Sequence, residues 1–200
     1  MAMKKFIILM IALFILYWLG TMTVPSIIEK GSNPVKESAP YNVSPQALEL
    51  YQSLDFVADL HCDALLWGRN LTERAYYGHV DFPRMQEANV AMQVFTIVSK
   101  SPRGQNMDFN KADTQDNITL LNIVQGRPIS NWFSMKRVKN LVGVQHVALG
   151  SDYDGSLAVP FDITGLPIIV EALLHEGFSE DEIRAAMGEN VKRFLLENLG

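Results

Sequence analysis

The chain has a single cysteine, Cys62, and this alone excludes any disulfide within it. Cysteine usage therefore carries no information about redox compartment. Cys62 stands between His61 and Asp63, so strand alternation turns it away from both and makes it a small buried apolar side chain rather than a nucleophile. Clustered basic residues are also missing. Seventeen Lys and Arg stand against 22 Asp and Glu, the net charge is −5, and no basic run occurs, which excludes nucleic acid as a partner. Internal repeats and low-complexity tracts are absent too. What remains, 48% hydrophobic and 20% charged over 200 residues, suits one globular domain plus an apolar segment.

That segment opens the chain. Residues 1–5 carry Lys4 and Lys5, and Phe6 to Leu19 follow without a polar interruption, extended by Gly20 to Val24 up to Pro25. About 20 apolar residues cross a bilayer as a helix, whereas the apolar core of a signal peptide is about 7–15 residues followed by small residues at a cleavage site. Thr21 and Thr23 make a poor cleavage site, so residues 6–24 read as an uncleaved signal anchor, with a cleaved signal as the alternative. Lys4 and Lys5 then keep residues 1–5 in the cytoplasm and place the folded part on the other side. Residues 25–42, and Glu29 to Pro40 above all, are polar and Pro-bearing and read as a linker.

The folded part, 43–200, centres on Val57-Ala58-Asp59-Leu60-His61-Cys62-Asp63. A strand over Phe56 to Leu60 running into His-x-Asp projects an imidazole and a carboxylate from one face of a strand end, where α/β enzymes keep their chemistry. Both are good zinc ligands. Ser44-Pro45 predicts a helix through Ser53 ahead of this strand. His79-Val80-Asp81 repeats the spacing, but Asp81 before Phe82-Pro83 reads as the cap of a helix reaching about Asn89. Val90 to Ser99 reads as a second, buried strand and Lys100 to Asn106 as a loop.

Asp113 to Val124 and Ser130 to Val138 suit helices. Leu141 to Leu149 reads as an apolar strand leading to Ser151-Asp152-Tyr153-Asp154-Gly155. Beyond it, Thr164 to Glu176 predicts a helix closed by Gly177. Ser179 with Glu182 spells a capping box starting a helix toward Met187, and Glu189 to Leu199 gives the last amphipathic turns. His175, in a final helical turn, suits interaction with the helix dipole better than metal ligation.

His61-Cys62-Asp63 with Leu65-Leu66-Trp67, Gly78 through Arg84, Gln93 through Val98 and Gly150 through Gly155 together resemble the membrane (renal-type) dipeptidases, a family of zinc metallopeptidases. The resemblance implies a (β/α)8 TIM barrel of metal-dependent amidohydrolase type, two zinc ions at its C-terminal face and dipeptides as substrates. Residue by residue it makes His61 and Asp63 metal ligands and Asp152 the catalytic carboxylate beside the metal-bound water.

It also implies a bridging glutamate and two further histidines from central strands, which this chain lacks. His146 falls six residues before Asp152 on the expected strand, about 20 Å away. Glu171 and Glu176 fall in the following helix. The central region is spliced across near 136–140, and residues 43–200 fall short of the roughly 250 a complete barrel takes. The expectation is therefore an incomplete barrel of first and last βα units that binds at most one zinc, weakly. Dipeptide hydrolysis should be impaired or lost, and exposed strand edges would favour oligomers. Two rival readings stand beside it: a non-catalytic, membrane-anchored remnant or binding module, and a gene-model fragment of an active dipeptidase.

Overall fold

The apolar character of the first thirty residues is expressed directly as helix α1 (Ala2–Ser32), whose lipid-type side chains from Phe6 to Ile28 stand exposed. This is a computed structural model, and it describes residues 2–97 and 130–199. The expected loop over Lys100–Asn106 and the helix over Asp113–Val124 lie outside the described residues. Helix α1 is longer than the apolar stretch that seeds it and carries Pro25 within it. The polar residues after it are packed rather than free: Lys36 and Glu37 donate backbone N–H bonds to Val159 and Pro160, and Val159 N–H bonds to Pro34.

The short helices are set by their caps. Ser44 accepts from Ala47 N–H and Pro45 takes the first turn, giving α2 (Pro45–Gln52). Asp81 accepts from Arg84 N–H at the start of α3 (Phe82–Glu87), with Pro83 in its first turn. Helix α4 spans Ser130–Val142. Asp162 caps a 3-10 turn, Ile163–Gly165, that leads into α5 (Pro167–His175). The chain leaves α5 with Gly177 N–H bonded to Leu174 O and Phe178 N–H to Leu173 O, the Schellman pattern. Ser179 and Glu182 form a complete capping box for α6 (Glu180–Arg184). A π-type turn over Ala185–Glu189 then joins α7 (Asn190–Leu199).

Strand β1 (Val57–Cys62) pairs in parallel with β2 (Val90–Phe95). The second strand is thus shorter than the Val90–Ser99 expected; Thr96 and Ile97 leave the sheet, and Val98 and Ser99 lie outside the described residues. On the other side of β1, Leu149 and Tyr153 make isolated parallel bridges to Asp59 and Cys62.

Here the structure corrects the sequence reading, because Leu141 to Leu149 is not a strand. Leu141 and Val142 finish α4, Gly143 turns the chain at φ +96°, and Val144–His146 is a 3-10 turn. A short apolar run satisfies either period, and here the helix that precedes it claims its first residues. Lys136 and Lys139 hold α4 to Glu176 (2.8 Å) and Glu182 (2.5 Å), and Lys139 also lies 4.3 Å above the Phe178 ring. The result is a mixed α/β unit whose core runs from Val57, Val147 and Leu149 through Ile163, Leu166 and Leu173 to Ile183 and Met187.

The π-type turn brings Gly188 against β1's entry. A Cβ built there would lie 2.0 Å from Phe56 O, a backbone atom that cannot swing aside. Gly188→Ala is therefore expected to cost about 1–3 kcal/mol, the usual range for overpacking. Thermal unfolding of the detergent-solubilised chain reads this, and an unchanged midpoint would contradict the packing described.

Candidate metal centre

Three backbone hydrogen bonds lay the 149–153 segment along β1: Leu60 N–H to Leu149 O (3.0 Å), Asp152 N–H to His61 O (3.2 Å) and Asp63 N–H to Tyr153 O (2.8 Å). Parallel chains in register end at the same edge, and this edge holds His61, Asp63 and Asp152. Their ligand atoms lie within 4.8 Å of one another, the sole such group of three among the described residues. His61 Nε2 is 3.2 Å from Asp152 Oδ1 and 3.7 Å from Asp63 Oδ2. The imidazole is about half exposed, so the group opens to solvent.

The electrostatics are those of crowded carboxylates. Burial pushes Asp152 up to about 6; His61 opposes the shift, while Asp63 and Asp59 add to it. Asp63 accepts a short hydrogen bond from the Thr96 hydroxyl, which fixes its orientation from the end of β2. Cys62 points the other way into the core, and burial raises its thiol well above the ordinary value.

Asp152, Asp154 and Ser156 all have φ near +60°, an uncommon conformation for residues with side chains. It persists because the surroundings hold it. Asp59, fully buried two residues before His61, accepts from Ser151 N–H (2.8 Å), Ser151 Oγ (2.6 Å) and Gln93 Nε2 (2.7 Å). One carboxylate thus ties β1, β2 and the 149–153 segment together. Burial raises its pKa, and the Ser151 and Gln93 hydrogen bonds oppose the rise.

Asp154 does the same on the far side. It is fully buried and accepts from Arg69 (2.8 Å), His79 N–H (2.7 Å) and Val80 N–H (3.2 Å); its carbonyl accepts from Trp67 Nε1 (2.7 Å). Arg69 in turn lies 3.3 Å from Glu29 at the end of α1.

The other three histidines are elsewhere. His79 is fully buried, accepts at Nδ1 from Asp154 N–H (2.8 Å), and is held toward its neutral form by burial. His146 sits in the 3-10 turn before the segment. His175 is exposed, 2.9 Å from Glu171 on its own helix. Sequence reasoning singled out His61, Asp63 and Asp152, which the structure brings together, and passed over Asp59, Ser151, Gln93, Arg69 and Asp154, which surround them. Alternation alone could have added Asp59, which shares the i, i+2 face with His61.

Residues 132–198 match the profile of the membrane dipeptidase family, peptidase family M19. The chain is 41% identical over 61 residues to dipeptidase aclJ of Aspergillus oryzae, covering 29% of this chain and 14% of that protein. It is 39% identical over 66 residues to dipeptidase tcpJ of Claviceps purpurea (30% and 15%) and 31% identical over 64 residues to dipeptidase verJ of Clonostachys rogersoniana (30% and 16%). The matched stretches span about a seventh of the length of these curated relatives.

The family match includes Asp152 and Asp154 but not His61, Asp63 or Arg69, and the two parts meet in the buried Arg69–Asp154 pair. Arg69→Met removes one partner of a buried ion pair, which typically costs about 3–5 kcal/mol. Thermal unfolding of the variant should show that loss. A variant within about 1 kcal/mol of the parent would mean that the pair does not join the two parts.

Proposed function

We propose, from the match of residues 132–198 to the membrane dipeptidase family, that this chain is a membrane-anchored, dipeptidase-type zinc hydrolase reduced to part of its site. The observation that carries this reading is the convergence of His61, Asp63 and Asp152 at one strand edge. The donors suit zinc: one imidazole and one carboxylate, His61 Nε2 lying 3.7 Å from Asp63 Oδ2, with the Asp152 carboxylate 3.2 Å from the imidazole beside them. Donors about 2.1 Å from a tetrahedral ion lie roughly 3.4 Å apart, close to the separation of His61 and Asp63. Room is kept beside them as well. At Gly155 a Cβ would stand 2.7 Å from Asp152 Oδ1 and 3.1 Å from Asp63 Oδ2, so the glycine leaves open the space next to both carboxylates.

His61 Nε2 and an Asp63 oxygen would hold the ion. Zinc, when bound, lowers the pKa of water toward ~7 and polarises a peptide carbonyl. Asp152, whose pKa is already raised, is the group that takes a proton from the attacking water and passes one to the leaving amine. Asp59, through Ser151, and Gly155, through its N–H bond to Asp152 O, hold the backbone that carries Asp152.

The parallel pairing of β2 with β1, and of β1 with the 149–153 segment, supports a reading as first, second and last strands of a (β/α)8 barrel. The family's second zinc finds no histidines here, since His79, His146 and His175 are each placed away from the group. One weakly held zinc and little turnover is the expected state of the chain by itself.

Two experiments test the proposal. In titration calorimetry the full chain in detergent should bind one zinc, and His61→Ala should weaken binding by about tenfold or more; equal affinity would remove the site. With zinc supplied, hydrolysis of a panel of L,L and L,D dipeptides should not exceed that of His61→Ala. Clear excess turnover would mean that the chain, alone or as an oligomer, completes the family's site.

Helix α1 is long and apolar enough to cross a membrane, from Met3 to Ser32. We propose that Lys4 and Lys5 hold its start in the cytoplasm, which puts the α/β unit on the other side. A reporter active only outside the cytoplasm, fused after Asn42, should be active. A stable but inactive fusion would reverse the orientation.

A further inference from the structure

Where α1 meets the α/β unit there is a cavity of about 610 Å³, and none of the three candidate metal-centre residues lines it. We infer that this cavity, walled by Lys30, Asn33, Lys36, Arg74, Tyr76 and Tyr77, binds the phosphate headgroup of an anionic phospholipid. The inference rests on the membrane-anchor reading of α1 and extends it.

Position comes first. Ile27 and Ile28 are exposed at the end of α1, so its lipid-type surface continues to within two residues of Lys30. Glu29, between them, is turned inward to Arg69 and is 2% exposed. At about 1.5 Å of rise per residue, Lys30 stands roughly 9 Å beyond Val24, which is headgroup rather than hydrocarbon depth. Tyr76, 85% exposed beside it, carries the Lys30 ammonium 5.2 Å from its ring centroid. Exposed tyrosine and lysine together are what the interfacial layer favours.

Chemistry comes second. Four cations and two carboxylates line the cavity. Arg84 is committed to Asp81 (2.8 Å) and to one of those carboxylates, Asp162 (3.0 Å). Lys30 and Lys36 have no ion-pair partner among the described residues, and only Glu37 opposes them. Arg74 is paired with Glu87 on the exposed surface, a kind of contact worth little and easily exchanged.

The third observation is an unspent donor. Asn33 is 2% exposed and lines the cavity; its Oδ1 accepts from Ser156 N–H at 2.8 Å, but its Nδ2 is buried without a partner. A buried amide donor left unmatched is costly unless something accepts from it. A phosphate oxygen held by Lys30 and Lys36 supplies that acceptor.

The test uses the full chain in nanodiscs of phosphatidylcholine, with and without phosphatidylglycerol, and counts retained lipids by native mass spectrometry. Phosphatidylglycerol should be retained in preference to phosphatidylcholine. The Lys30→Ala/Lys36→Ala variant should lose about tenfold of that preference. Asn33→Asp keeps the acceptor for Ser156 but replaces the free donor with a carboxylate, and should lose it as well. Lys4→Ala/Lys5→Ala, at the other end of α1, should retain it.

Equal retention of the two lipids, or loss only in the Lys4/Lys5 variant, overturns the site. Binding of inorganic phosphate with the same variant dependence but without lipid preference overturns the lipid assignment in favour of a soluble anion. A chain that never enters phosphatidylcholine nanodiscs overturns the anchor itself, and the headgroup site with it.

Discussion

The fold and the candidate centre both depend on the lateral pairing of β1 with residues 149–153. Without its three backbone hydrogen bonds, nothing would place Asp152 beside His61, which is 91 positions earlier in the chain. Bridges this short are weak by themselves. They hold because Asp59 adds a buried carboxylate that bonds Ser151 on one side and Gln93 on the other. Hydrogen bonds to a charged group exceed neutral ones, and the buried site strengthens them further. The same pinning sustains the left-handed backbone at Asp152 and Asp154, so local strain is carried by contacts some ninety residues away in sequence.

A second brace reaches from α1. Glu29 and Asn33 at the end of α1 meet Arg69 and Ser156, and Arg69 meets Asp154, two residues after Asp152. The end of α1 is therefore tied by polar contacts to the segment that carries Asp152 rather than left as a loose tether. Backbone bonds of Pro34, Lys36 and Glu37 to Val159 and Pro160 then carry the chain on as ordered backbone.

Features that reside in a few adjacent residues were legible in the sequence. The caps at Ser44, Asp81 and Ser179, the stop at Gly177 and the long apolar helix α1 each follow from local chemistry. His-x-Asp at a strand end and the carboxylates after Leu149 were legible for the same reason. What escaped depends on partners distant in sequence. Leu141 and Val142 are helical because α4, whose lysines reach Glu176 and Glu182, continues into them, and Gly143 then turns the chain into a separate 3-10 turn. Glu29 to Pro40 reads as linker until Val159 and Asp154 are seen beside it. Asp59, Arg69 and Asp154 look like ordinary charges, and only burial reveals their work in holding the site.

The central claim is that one metal position exists at this strand edge, made by residues from two distant parts of the chain. Anomalous diffraction at the zinc edge from crystals of the zinc-loaded chain tests it most directly. The account predicts one anomalous peak bounded by His61 Nε2 and an Asp63 carboxylate oxygen, with Asp152 beside it. A peak at His79, His146 or His175, or none at His61 with zinc in the crystal, would contradict it.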